Sequence, residues 1–135
     1  MQLAAWEPFH LNKANRALHA GAAVLLWVAL ADLAGPFGAL ALLIGVALFG
    51  FSRGKSVGLA MSGFALVCGA LAAPLWELPM SARFYWFLAL VAVRFLLVGV
   101  GHKVLEKKFH PLTPELLFLE QVNLAAYWTK APRGL

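Results

Sequence analysis

"ALHAGAAVLLWVALADLAGPFGALALLIGVALFGF", residues Ala17 to Phe51, is the stretch on which the fold turns. It is apolar almost throughout, and its strongest punctuation is Gly35-Pro36, a dipeptide that marks a turn. A membrane-spanning helix needs roughly 20 mainly apolar residues, within about 17 to 25. The stretch therefore divides into two windows, 17–34 and 37–51, the second short enough to sit at an angle among its neighbours. One crossing or two decides which side of a membrane the rest of the chain occupies.

Two more windows follow, 57–76 and 84–104, separated by "SRGK" (Ser52 to Lys55) and by the segment from Pro74 through Pro79. The 135 residues are 62% hydrophobic and 13% charged, against roughly half apolar and a quarter charged in soluble domains. The expected fold class is all-α: an integral membrane four-helix bundle, a single membrane domain over 1–135. Connections this short leave no room for a soluble domain. The first run follows Lys13 and Arg16 as a secretory signal would, but three further runs come directly after it, so a membrane anchor is the better reading. The single cysteine, Cys68, lies inside the third window, which excludes an intrachain disulfide.

Lysine and arginine are enriched in short loops on the cytoplasmic side. With both termini on that side, its segments hold Lys13, Arg16, Arg53, Lys55, Lys103, Lys107, Lys108, Lys130 and Arg133, while the outer loops hold only Asp32, Glu77 and Arg83. Nine positive charges against one put both termini in the cytoplasm.

The histidines follow from that topology. His19 opens the first span and His102 closes the fourth, so an even number of crossings brings both to the cytoplasmic surface. His10 and His110 flank them, and all four histidines of the chain then share one layer. His102 and Glu106 are four residues apart and share a helix face if the last helix continues. His10 and His19 are nine apart and need a bend near "NKAN", where Asn12 and Asn15 suit a turn or a cap. Imidazole is the commonest metal ligand, and histidine with carboxylate and open positions suits non-haem ferrous iron. The plainer alternative is that interfacial histidines reach to water and bond headgroups.

Two motifs carry a resemblance. "FHLNKANRALHAG" holds His10, Asn15, Arg16, Leu18, His19 and Gly21, and "GHKVLEK" holds Gly101, His102, Glu106 and Lys107. With the four-span layout, these resemble the family of fungal 2-hydroxy-palmitate dioxygenase, small membrane proteins with H-x-x-P-x-N-R-x-L-H-x-x-G and G-H-x-x-x-E-K patterns. Lys13 stands where that family has proline, and "KFHP" where it has an asparagine- or arginine-containing run ending in proline.

The resemblance implies an Fe(II) enzyme, with molecular oxygen as co-substrate, that shortens 2-hydroxy fatty acids by one carbon. His10, His19, His102 and His110 are then the expected metal ligands. Glu106 is a further ligand or a partner that orients an imidazole, and with Arg16 it is a catalytic candidate. Arg16 and Lys103 are candidates for the substrate carboxylate, or for lipid phosphate. Arg94 is the one charge well inside a span, where insertion costs about 2.5–3.5 kcal/mol. It is expected either to line the substrate cavity beneath the histidines or to pair with Asp32 or Glu77.

Gly54, Gly58 and Ser62 recur every four residues and are expected to let helices approach closely, within the chain first and in a homo-oligomer second. Trp76, Tyr85 and Trp86 read as an aromatic belt. Residues 114–128 read as an amphipathic helix on the membrane surface or over the site. The net charge of +5 fits contact with membrane lipid, and nothing supports nucleic-acid binding. Two other functions compete: a haem-binding electron carrier using His19 and His102 as axial ligands, and a metal-free structural or helper subunit.

Overall fold

A computed structural model describes residues 12–107 and Ala125. These residues are helical almost throughout, with no strand among them. Helix α1 runs Lys13–Ser52 and α2 Lys55–Ala72, which passes into a 3-10 turn, Ala73–Glu77. Helix α3 runs Met80–Val100 and ends in a π-helical turn, Gly101–Glu106. Lys13–Ser52, Lys55–Glu77 and Met80–Glu106 are each long and apolar enough to cross a membrane.

Helix α1 begins at Asn12, whose side chain accepts the Ala14 N–H at 2.8 Å as an N-cap. Its 40 residues, if straight, would measure about 60 Å, twice the roughly 30 Å of a bilayer's hydrocarbon. It is not straight. Gly35 sits at φ 72, ψ 179, a backbone region that essentially only glycine enters. Pro36 opens the next limb, where a missing N–H goes unnoticed. The break falls at the Gly35-Pro36 punctuation and divides α1 into limbs 13–34 and 36–52.

Contacts give the limbs their directions. Asn15 meets Gly101, Gly21 lies against Leu97, and Asp32 bonds Arg83, so limb 13–34 and α3 run antiparallel. Gly50 lies against Met61 and Gly58, and Leu43 against Gly69, so limb 36–52 runs antiparallel to α2. The Trp27 ring meets Phe64 edge-on at 6.5 Å, and Trp76 Nε1 donates to the Ala31 carbonyl at 3.2 Å, so limb 13–34 and α2 run the same way.

Limb 13–34 is the buried centre. Ala22, Ala23, Trp27, Val28, Ala29 and Ala31 are all buried on it, and the core extends to Ala39, Val46, Val57, Met61, Cys68 and Ala72. Helix α3 has the inverse of a soluble pattern. Its buried residues are Arg83 and Arg94, while Phe84, Leu88, Val93, Phe95, Leu96 and Val100 are exposed. Charge inside and hydrocarbon outside is the arrangement of a helix solvated by lipid.

Several residues lie elsewhere than the sequence leads one to expect. Arg83 is not a loop charge: it is buried in the first turn of α3 and bonded to Asp32. Gly54 belongs to the turn between α1 and α2 rather than to a packing stripe. Gly58 does serve close approach, lying against Phe51 and Gly50 within the chain, with Ser62 Oγ donating to its carbonyl at 2.9 Å. Tyr85 and Trp86 are exposed as a belt requires, whereas Trp76 is half-buried and hydrogen-bonded inward. The expected surface helix 114–128 lies outside the described residues except for Ala125, which is helical and buried with the core.

Candidate functional site

The first turn of α1 and the π-turn after α3 meet at one end of the bundle. His19 lies on the face of α1 turned to α3 and is 2% exposed. His102 is half-buried at the start of the π-turn. Their rings are edge to face, with centroids 4.7 Å apart and planes at 72°. His19 Nε2 and His102 Nδ1 are both buried. Two imidazoles 83 positions apart in sequence thus share one spot.

Three further groups fix that spot. Glu106 Oε1 accepts the backbone N–H of Asn12 at 2.7 Å and the Asn15 side-chain Nδ2 at 3.3 Å. A carboxylate there faces the positive end of the α1 dipole and takes up an N–H that the helix itself leaves over. Asn15 is fully buried one turn before His19. Gly101 is the third group: a Cβ on it would collide with Asn15 Oδ1 and stand 3.6 Å from His19 Nε2. Only a residue without a side chain lets α1 come this close.

The π-turn itself ends at Lys107, which is left-handed (φ 52, ψ 28) and donates its N–H to the His102 carbonyl. Such wide turns are frequent at functional sites. Its effect on the expected spacing is small, because His102 and Glu106 still lie about one turn apart.

The other expected residues divide clearly. Arg16 is half-buried in the first turn of α1, and Lys103 is exposed. Arg94 is 2% exposed, with its guanidinium 5.0 Å from the Phe95 ring centroid. It is not the partner of Asp32, which bonds Arg83 Nε through Oδ1 at 2.9 Å and Arg83 Nη2 through its backbone carbonyl. Glu77, the other suggested partner, is exposed. His10 and His110 lie outside the described residues. Among the described residues no three histidine, cysteine, aspartate or glutamate side chains gather as a metal site would require, so His19 and His102 are the two donors in view.

Sequence reasoning had Asn15 as a turn residue and had no role for Gly101 beyond its motif. A signal for Asn15 was present: it precedes His19 by four positions and so shares its helix face. The signal for Arg83 was its spacing of eleven from Arg94, about three full turns, which puts both on the same side of α3.

Compared with known proteins, the chain matches no family model, no curated protein and no solved structure.

Proposed function

We propose that the chain is a four-span membrane protein with both termini in the cytoplasm, and that its His19–His102 pair is the heart of a non-haem ferrous site acting with oxygen on 2-hydroxy fatty acids. Support for four crossings comes from the break at Gly35 and the antiparallel contacts on either side of it. The observation that carries the site is the ring spacing. At metal–nitrogen distances of about 2.0–2.1 Å, two imidazoles on neighbouring coordination positions have centroids roughly 4.5–5.3 Å apart, and the value here is 4.7 Å. Axial ligands on opposite faces of a haem would lie roughly 6–6.5 Å apart with the macrocycle between them. The spacing fits a shared non-haem ion, as it also fits direct edge-to-face packing of the two rings, and does not fit axial haem ligation.

His10 and His110 are the residues proposed to complete the ligand set. When bound, ferrous iron supplies a centre that both chelates a 2-hydroxy acid and activates oxygen. Arg16 pairs with the substrate carboxylate, with Lys103 at the rim, and the alkyl tail lies along the helices in hydrocarbon. Overall, one 2-hydroxy acid and one O2 give the acid shorter by one carbon, CO2 and water, which balances without an external reductant. The substrate class rests on the motif resemblance in "FHLNKANRALHAG" and "GHKVLEK".

Purified protein should contain iron without a Soret band, and under oxygen should convert an added 2-hydroxy acid to the acid one carbon shorter. A strong Soret band supports the haem carrier instead. Absence of any bound transition metal after reconstitution supports the helper subunit and ends this reading.

A further inference from the structure

We infer that Asn15 and Glu106 form a clasp that positions the histidine pair, with Glu106 acting through hydrogen bonds rather than as a ligand. The inference deepens the metal-site reading and rests on it for its functional meaning, although the clasp itself does not.

One carboxylate oxygen, Glu106 Oε1, receives both the Asn12 N–H (2.7 Å) and Asn15 Nδ2 (3.3 Å). The bonds join residues more than ninety positions apart and tie the π-turn to the first turn of α1. Each end of this tie stands one turn from a histidine: Asn15 before His19, Glu106 after His102. Asn15 also abuts Gly101, the residue next to His102, at a distance no side chain would permit. The two rings are therefore bracketed on both strands of the crossing by groups that bond each other. In chain terms Glu106 does for α1 what the glutamate of a capping box does for its own helix, reaching the N-cap N–H, but from another helix. Loosening it slides α1 along the π-turn and separates the rings.

The clasp makes a prediction that direct ligation does not. A glutamine at 106 keeps an oxygen that accepts from Asn12 and Asn15, whereas as a metal ligand it would lose the carboxylate. Co(II) serves as the probe, its visible absorption reporting coordination geometry as well as occupancy. Glu106→Gln should bind Co(II) within about threefold of the unsubstituted protein, with the same spectrum. Glu106→Ala and Asn15→Ala should each weaken binding by about 10–100-fold, the range for outer-sphere partners. Glutamine as weak as alanine, or with an altered spectrum, overturns the proposal in favour of ligation.

A second readout needs no metal. The imidazole NMR signals of His19 and His102, assigned with single histidine-to-glutamine variants, should both shift in Asn15→Ala and in Glu106→Ala. The double variant should shift them little further than either single one. Unmoved signals sink the clasp. If the signals shift as expected while the unsubstituted protein takes up neither Co(II) nor Fe(II), the clasp stands and the metal reading falls.

Discussion

Limb 13–34 of α1 meets α3 in polar contacts at both of its ends, and the two ends are built on opposite principles. Where the limb finishes, Asp32 and Arg83 are buried as unlike charges, and Arg83 also donates to the Asp32 carbonyl, one of the acceptors left over at a helix C-terminus. Where it starts, two like side chains, His19 and His102, are brought together. The first arrangement explains itself: each charge is the reason the other can be buried. The second is not explained by the ring contact alone. An edge-on ring contact is worth about 0.5–1.5 kcal/mol, and two protonated imidazoles would repel. Departures from the local rules of stability tend to fall at functional sites, which is why the histidine end is the one proposed above as the site.

Substitutions at the two ends should therefore fail in different ways. The largest effect is expected at the histidines: His19→Ala or His102→Ala should abolish metal retention while the helical circular dichroism persists. Full metal content in both variants would end the site assignment. Next comes the ion pair. Arg83→Ala or Asp32→Ala leaves a buried charge behind and should destabilise by about 3–5 kcal/mol in denaturant titrations in detergent, with metal stoichiometry unchanged in the protein that remains folded. A smaller loss, about 1–3 kcal/mol, is expected for Gly35→Ala, because alanine must adopt the glycine-only conformation at the break. Asn12→Ala removes a side-chain cap and should cost about 1 kcal/mol. Lys55→Ala, exposed in the turn-proximal end of α2, should alter neither stability nor metal content, which makes it the control for the series.

Much of this contrast was legible in the sequence, and the illegible part has a physical cause. The long apolar helices announce themselves through mainly apolar runs, and the break in α1 falls at Gly35-Pro36 because few other dipeptides so disfavour a continuous helix. The nearness of His19 and His102 was expected in the sequence as a shared layer, and the structure brings the two rings together. The Asp32–Arg83 pair was not expected, since a charge near the end of an apolar run reads equally as a loop residue. Only its placement relative to limb 13–34, a property of two helices together, distinguishes the cases. Glu106 was legible as a group that could orient an imidazole, but its bond to Asn15 was not, because the two come into range only through the close approach at Gly101. A π-turn cannot be told from an α-turn by composition, so the geometry beneath His102 was out of reach as well.

The inward-facing arginines of α3 carry a consequence for biogenesis. A segment that shelters Arg83 and Arg94 gains from a partner as it enters lipid, and its acceptor for Arg83 is synthesised some fifty residues earlier, on limb 13–34. The final segment should thus leave the translocation channel cooperatively, by docking onto an earlier one already resident in the bilayer. In a truncated reporter carrying residues 80–106 alone, membrane integration should be less complete than when the N-terminal segment is supplied in the same chain.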